Sequence, residues 1–225
     1  MYNIAHFQDL INKEIAEKQY PGNPIELYEP IRYIMALGGK RMRPALLLMS
    51  CDLFEGSIMK ALKPALAVEV FHNFTLMHDD IMDKAPLRRG SATVHEKWSD
   101  SIAILSGDVM LVEAYQLMMQ VDDAILRNVL NIFSETATAV CEGQQTDMNF
   151  ESLQDVSIRD YIEMIRLKTA VLLAGSMKIG ALIGNASADD AEQIHRFGEN
   201  LGLAFQLQDD ILDVYGDPEK FGKQV

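Results

Sequence analysis

Two short stretches of the chain place carboxylates where they could hold divalent cations. The segment Ala65 to Asp83, ALAVEVFHNFTLMHDDIMD, is apolar except for a few acids, two histidines, Asn73 and Thr75. On a helix of about 100° per residue, Asp79 and Asp83 return to within about 20° of His72, and Asp80 falls about 80° to the side. Carboxylates at i and i+4 project together. Such a pair suits Mg²⁺, which takes one or two carboxylates and fills its other positions with water and phosphate oxygens. For this segment alone, the acidic edge of an amphipathic helix is an equal alternative. The segment Leu201 to Tyr215, LGLAFQLQDDILDVY, repeats the device with Asp209, Asp210 and Asp213. Gln206 and Asp213 share one line of that helix, and Asp209 and Asp210 straddle it. Acids set into apolar sequence need partners. Two such helices facing one another across a cavity would build a multi-metal site.

Basic residues surround both stretches. Gly38-Gly39-Lys40-Arg41-Met42-Arg43-Pro44 precedes the first. Pro44 suits the first position of a helix, and a helix N-terminus beside Lys40 and Arg43 is a natural diphosphate site. Arg88 and Arg89 follow Pro86 in a glycine-terminated loop, where arginine forks suit bidentate phosphate contacts. Lys168-Thr169 interrupts an apolar helix expected around Ile158–Ile183, and Lys223 follows the second acidic stretch. Taken one at a time, these would be ordinary surface charges.

The elements that must carry these groups read as helices. No proline lies between Pro86 and Pro218, and apolar residues there recur at three- and four-residue spacing, as in Ile125, Val129, Ile132 and Phe133. Alternating strand patterns flanked by turn dipeptides are absent. Breaks are expected at Pro21–Pro24, Gly38–Pro44, Pro86–Gly90, Gly184–Asp190 and from Gly216 onward. The reading is one all-α domain over residues 1–225, a bundle of roughly eight to ten helices around a central cavity. With 20 basic and 33 acidic side chains the net charge is −13. That balance argues against nucleic acid and against an anionic membrane surface as partners. Cys51 and Cys141 read as buried free thiols. No uncharged apolar run reaches the roughly 18 residues of a membrane span, and no signal-peptide pattern opens the chain. The expected setting is the cytoplasm.

Taken in order, the motifs resemble those of the trans-isoprenyl diphosphate synthases, the polyprenyl synthetase family. They are GGKRMRP (38–44), HDDIMD (78–83), LRRG (87–90), GQQTD (143–147), KTA (168–170), FQLQDDILD (205–213) and GDPEKFGK (216–223). The resemblance implies condensation of isopentenyl diphosphate with an allylic diphosphate by ionisation, condensation and elimination. It implies about three Mg²⁺ ions, held by Asp79, Asp83 and Asp209, with Asp80, Asp210 and Asp213 as further ligands or supports. Arg88, Lys168 and Lys223 would hold the allylic diphosphate, and Lys40, Arg43, His72 and Arg89 the isopentenyl diphosphate. Gln206 and Thr169 would face the reacting carbons, with Gln144 and Asp147 supporting the diphosphate. A homodimer is implied by the resemblance alone.

Phe74 lies five residues before Asp79, about 7.5 Å deeper along the helix. An aromatic ring there would form the floor that stops the growing chain, and the family pattern then suggests a product of fifteen or twenty carbons. Family members continue past Lys223 with further helices, so the chain is expected to lack its C-terminal helices. Two other readings are a terpene cyclase and a non-catalytic partner subunit of a prenyl synthase. Lys40 and Arg43 disfavour the first, and the intact acidic motifs disfavour the second.

Overall fold

The structure, a computed structural model, describes residues 3–215, without the side chain of Asp213. Ten α-helices make up most of it: α1 (Ile4–Glu17), α2 (Ile25–Ala36), α3 (Met42–Leu53), α4 (Ile58–Met82), α5 (Val94–Lys97), α6 (Asp100–Met118), α7 (Asp123–Phe150), α8 (Ile158–Ile165), α9 (Val171–Ile183) and α10 (Ala188–Tyr215). A π-helical turn, Arg166–Ala170, joins α8 to α9. The all-α architecture is the one the periodicity predicts.

Side-chain caps start several of these helices by satisfying an otherwise orphaned N–H. Asn3 Oδ1 accepts from the His6 N–H at 3.0 Å. Ser99 Oγ accepts from Ile102 N–H at 3.3 Å, and Ser157 Oγ from Asp160 N–H at 3.1 Å. α3 differs. Its cap, Arg41, is left-handed at φ 47° and offers no side-chain bond to the helix. The helix therefore begins at Met42, and Pro44 is its third residue rather than its first. The proline is still accommodated, because the N–H groups of the first turn have no intrahelical partner to lose.

α4 is the hub. Apolar side chains lie all around it, as expected for a helix with neighbours on every side. Phe71 of α4, Phe133 of α7 and Tyr115 of α6 form an edge-to-face series, with ring centroids 5.3 and 5.0 Å apart. Such pairs add about 0.5–1.5 kcal/mol each beyond the area they bury. α3 and α9 pack against each other and against α4, while α7 and α10 flank the π-turn. The buried face of α6 carries small residues, Ala103, Ser106, Gly107 and Ala114, which bring it close to α4. By length and composition α6 is apolar enough to cross a membrane. Its Asp108 and Glu113, its packing on α4 and α2, and the ion pair from Lys18 to Glu113 make it a helix of this bundle.

The loop after α4 differs from expectation. Leu87–Arg88 and Ser91–Ala92 form a two-stranded antiparallel ribbon, β1 and β2. Two-residue strands are too short to show alternation in sequence. The turn residues Arg89 and Gly90 both have positive φ, 53° and 77°, as a type I′ hairpin requires. Cys51 is a buried free thiol, with burial pushing its pKa up to about 11. Cys141, expected to be buried, is exposed, because its side of α7 faces an open cavity.

Candidate active site

The last turn of α4 presents Asp79, its C-cap is Asp83, and the C-terminal half of α10 presents Asp209. All three line a cavity of about 780 Å³. The cavity's opening also carries Arg88 from the ribbon and Lys168 from the π-turn. Lys168 Nζ is 2.6 Å from Asp147 Oδ2 and 3.8 Å from Asp79 Oδ1. Burial lowers the lysine's pKa, but the bond to Asp147 and the charges of Asp79 and Asp83 outweigh it, leaving a net rise. Its ammonium is therefore secure. Asp79 moves the other way from an ordinary carboxylate. Burial raises its pKa, with Asp83 and Asp80 adding to the rise and Lys168 and Arg88 opposing it.

Two further acids of the motifs, Asp80 and Asp210, are drawn aside. Arg88 Nε donates to both oxygens of Asp80, at 2.8 and 3.0 Å, and Asp80 is 2% exposed. The same guanidinium reaches Asp79 at 3.9 Å. Asp80 thus fixes the direction of Arg88, a bidentate arrangement that restrains both partners. On α10, Asp210 accepts from the Tyr161 hydroxyl and from Gln206 Nε2, the latter at 2.9 Å. Burial and the bond to Asp210 push the tyrosine's pKa up to about 12. The side chain of Asp213 and all of Lys223 lie outside the described residues.

A second cavity, of about 490 Å³, adjoins the first and shares Arg43, His72, Thr169, Phe205 and Asp209 with it. Lys40, Arg43 and Arg89 give it a strongly positive wall. Arg43 Nη1 lies 3.2 Å from His72 Nε2. Burial, and then the charges of Arg43, Arg89, Arg88 and Arg41, hold the His72 pKa well below its usual value. The imidazole is neutral, so its Nε2 accepts from Arg43 and orients that guanidinium. Arg89 donates to the Gly38 carbonyl, which ties the ribbon to the glycine loop. Lys40 sits over the Phe205 ring at 5.4 Å.

Arg41, from the same basic run, has a different fate. It is buried against Glu69, with Nη2 donating to the Met35 carbonyl at 2.8 Å and Nε to Asn12 at 3.3 Å. Asn73 Nδ2 donates to Glu69 Oε1 at 3.1 Å. This network anchors the loop that carries Lys40 and Arg43. Sequence reasoning passed over it, although a lone glutamate in ALAVEVF was a signal that a buried cation had to exist. Tyr161 left no comparable mark.

At the junction of the two cavities, Thr169 Oγ1 donates to Gln206 Oε1 at 3.1 Å. The π-turn creates this placement. Its extra residue per turn breaks the helical register, so that Lys168 and Thr169 face the cavity while α9 remains buried. Two glycines let neighbouring helices press against it. A Cβ at Gly143 would stand 2.3 Å from the Lys168 nitrogen, and one at Gly202 would stand 2.6 Å from the Ala170 Cα. Phe74, Leu76, Val140 and Leu172 give the large cavity its apolar lining, joined by Thr75, whose hydroxyl donates to the His72 carbonyl at 2.8 Å.

The donor set fits Mg²⁺. Asp79 Oδ1 is buried without a hydrogen-bond partner, as is Gln144 Nε2 on the same cavity. Among the described residues no three acids, histidines or cysteines are grouped closely enough to cage a metal unaided. Few carboxylates with room for water and phosphate oxygens is the pattern of Mg²⁺, not of a structural zinc. Another hollow, of about 710 Å³ between Tyr20–Tyr28 and α6, has acids but no lysine or arginine on its walls. It cannot receive a diphosphate.

An all-α bundle with acid-bearing helices across a cavity and cations on the remaining walls defines the isoprenoid synthase fold. The chain belongs to the polyprenyl synthetase family, which it matches over residues 24–225. It is 43% identical over 202 residues to a geranylgeranyl diphosphate synthase of Methanosarcina mazei, an alignment covering 89% of this chain and 62% of that one. A crystal structure of a geranylgeranyl pyrophosphate synthase superposes with a TM-score of 0.96 at 48% identity, covering all of this chain and 69% of the other. A polyprenyl synthase of Caulobacter crescentus, solved with calcium and isoprenyl diphosphate, superposes with a TM-score of 0.84 at 32% identity, covering 98% of this chain and 65% of the other. The chain thus spans slightly less than two thirds of the Methanosarcina protein.

Proposed function

We propose that the chain is the catalytic portion of a cytoplasmic trans-prenyltransferase that joins isopentenyl diphosphate to an allylic diphosphate. The product would be a trans-prenyl diphosphate of fifteen or twenty carbons. One observation carries this reading: two adjoining cavities, each with cations on its walls, share Thr169, whose hydroxyl donates to Gln206 of the larger one. Two anionic substrates can therefore be held with their reactive carbons facing one another. Similarity to geranylgeranyl diphosphate synthases supports the same conclusion.

Mg²⁺, about three ions held by Asp79, Asp83 and Asp209, would supply Lewis-acid neutralisation of the leaving diphosphate. Arg88 and Lys168 hold that diphosphate from the protein side as charges already in place, which favours breaking of the allylic C–O bond. Lys223 is the third cation assigned to this group. The apolar floor keeps water from the carbocation. Lys40, Arg43 and Arg89 hold isopentenyl diphosphate, with neutral His72 aiming Arg43. Thr169 and Gln206 direct oxygen dipoles at the cationic carbon. The double bond of the second substrate attacks to form the new C–C bond, and the proton lost passes to the released diphosphate. Phe74 closes the chamber.

The test is one incubation of the purified protein with Mg²⁺, labelled isopentenyl diphosphate and each allylic primer in turn, followed by product-length analysis. Label transferred into an allylic product supports the reading, and no transfer with any primer removes it. A homodimer is part of the proposal, supported by the exposed apolar residues Ile104, Leu105 and Val112 on the outer face of α6. Sedimentation at micromolar concentration checks it.

A further inference from the structure

His78 precedes the first acid pair and has no part in holding either diphosphate. Its ring nevertheless lines the large cavity beside Phe74, with centroids 4.8 Å apart in an edge-to-face arrangement. Two features of α6 hold the imidazole there. Its Nε2 is 3.2 Å from the Ile104 carbonyl oxygen. A carbonyl can only accept, so Nε2 carries the proton and donates. The ring also fills a notch left by the missing side chain of Gly107, where a Cβ would stand 2.2 Å from Nε2 and 2.6 Å from Cδ2. On its other side Phe74 rests against Phe71, at 5.6 Å between centroids, and Phe71 leans on Phe133. The floor ring is thus held between a buried aromatic series and an imidazole fastened to the neighbouring helix.

We propose that His78 is a specificity-determining residue that sets product length by backing the Phe74 ring from its anchor on α6. The depth of the chamber is then fixed by how α4 and α6 are spaced at His78 and Gly107, not by Phe74 alone. The inference rests on the prenyl-transfer reading above, because it concerns the chamber in which that product would grow. Two substitutions have opposite effects. Removing the imidazole leaves Phe74 free to swing toward α6, which lengthens the chamber. Adding a methyl group at Gly107 expels the ring from its notch, and the open side is the cavity, which shortens the chamber.

The experiment compares product lengths from wild type, His78→Ala, His78→Gln and Gly107→Ala under identical labelled incubations. Pocket discrimination of this kind is worth roughly 10–200-fold, so the ratio of longer to wild-type-length product should rise by about tenfold in His78→Ala. Gly107→Ala should shift the ratio toward shorter product. His78→Gln, whose amide can still donate to the Ile104 carbonyl, should restore the wild-type distribution, a rescue that a merely structural role would not produce. His78→Ala alone decides the matter should Gly107→Ala fail to fold. Wild-type product with unchanged lengths in His78→Ala overturns this inference and leaves the prenyl-transfer reading standing. An inactive His78→Ala overturns it too, by assigning the residue to the diphosphate end. Absence of product from the wild type removes both.

Discussion

Gly143→Ala tests the placement of Lys168 without touching a charged group. The new Cβ would lie 2.3 Å from the Lys168 nitrogen and 2.7 Å from its Cα, whereas ordinary contact begins at 3.4 Å. Backbone must give way, so the π-turn has to retreat from α7 by about 1 Å, a displacement on the scale that costs about 10²-fold in rate when it misplaces a catalytic group. That factor corresponds to about 2.7 kcal/mol of transition-state stabilisation. Overpacking would also lower stability by about 1–3 kcal/mol, which leaves room for a folded variant. Lys168 would move relative to Asp147 and Asp79, now 2.6 and 3.8 Å from its ammonium. Steady-state rates with varied allylic diphosphate, together with a melting curve, separate the two effects. A folded variant with wild-type kcat and KM would refute the claim that close approach at Gly143 positions the lysine.

Three further outcomes follow from the geometry. Asp79 has a raised pKa, so the folded chain holds this proton more tightly than the unfolded one; that stability is complete below the unfolded value and lost as pH rises through the folded value. Asp79→Asn should therefore abolish Mg²⁺-dependent turnover yet melt above the wild type in chelator at neutral pH, the gap narrowing as pH falls through the folded value and gone below 3.8; a lower melting temperature at neutral pH contradicts the burial argument. Arg41→Met strands Glu69, whose side chain is 3% exposed, and should cost about 3–5 kcal/mol by denaturant titration, most of it regained in Arg41→Met/Glu69→Leu. Phe74→Ala should lengthen the products, read by chromatography of the labelled chains, and an unchanged profile would remove Phe74 as the floor.

The helices were legible because their apolar spacing is regular and several of their breaks fall at glycine and proline, although those at 98–99, 119–122 and 151–157 contain neither. The candidate site was legible because acids inside apolar sequence have few explanations. What escaped sequence reasoning has physical causes of its own. An added residue in a π-turn leaves the three- and four-residue apolar spacing readable on both sides, so Arg166–Ala170 passes for ordinary helix. The Arg88 ribbon is too short to alternate. The division of labour within GGKRMR depends on Arg41 adopting a left-handed backbone, which composition does not reveal. Cys141 was misplaced because an α7 face toward a cavity looks, in sequence, like a face toward a core.

The π-turn also makes the chain unequally tolerant of two kinds of change. A substitution within Arg166–Ala170 alters one side chain and leaves the frame of the helix intact. Loss of a single residue there would close the turn into continuous α-helix and leave the helices on either side in nearly the same register, because the π-turn is an α-helix with one residue added. α9 would keep its buried face against α3, but the turn itself would be re-aimed and Lys168 and Thr169 could not both reach the cavity. Exchange at Arg166 or Leu167 should therefore be tolerated better than any deletion, which removes the turn that aims Lys168 and Thr169.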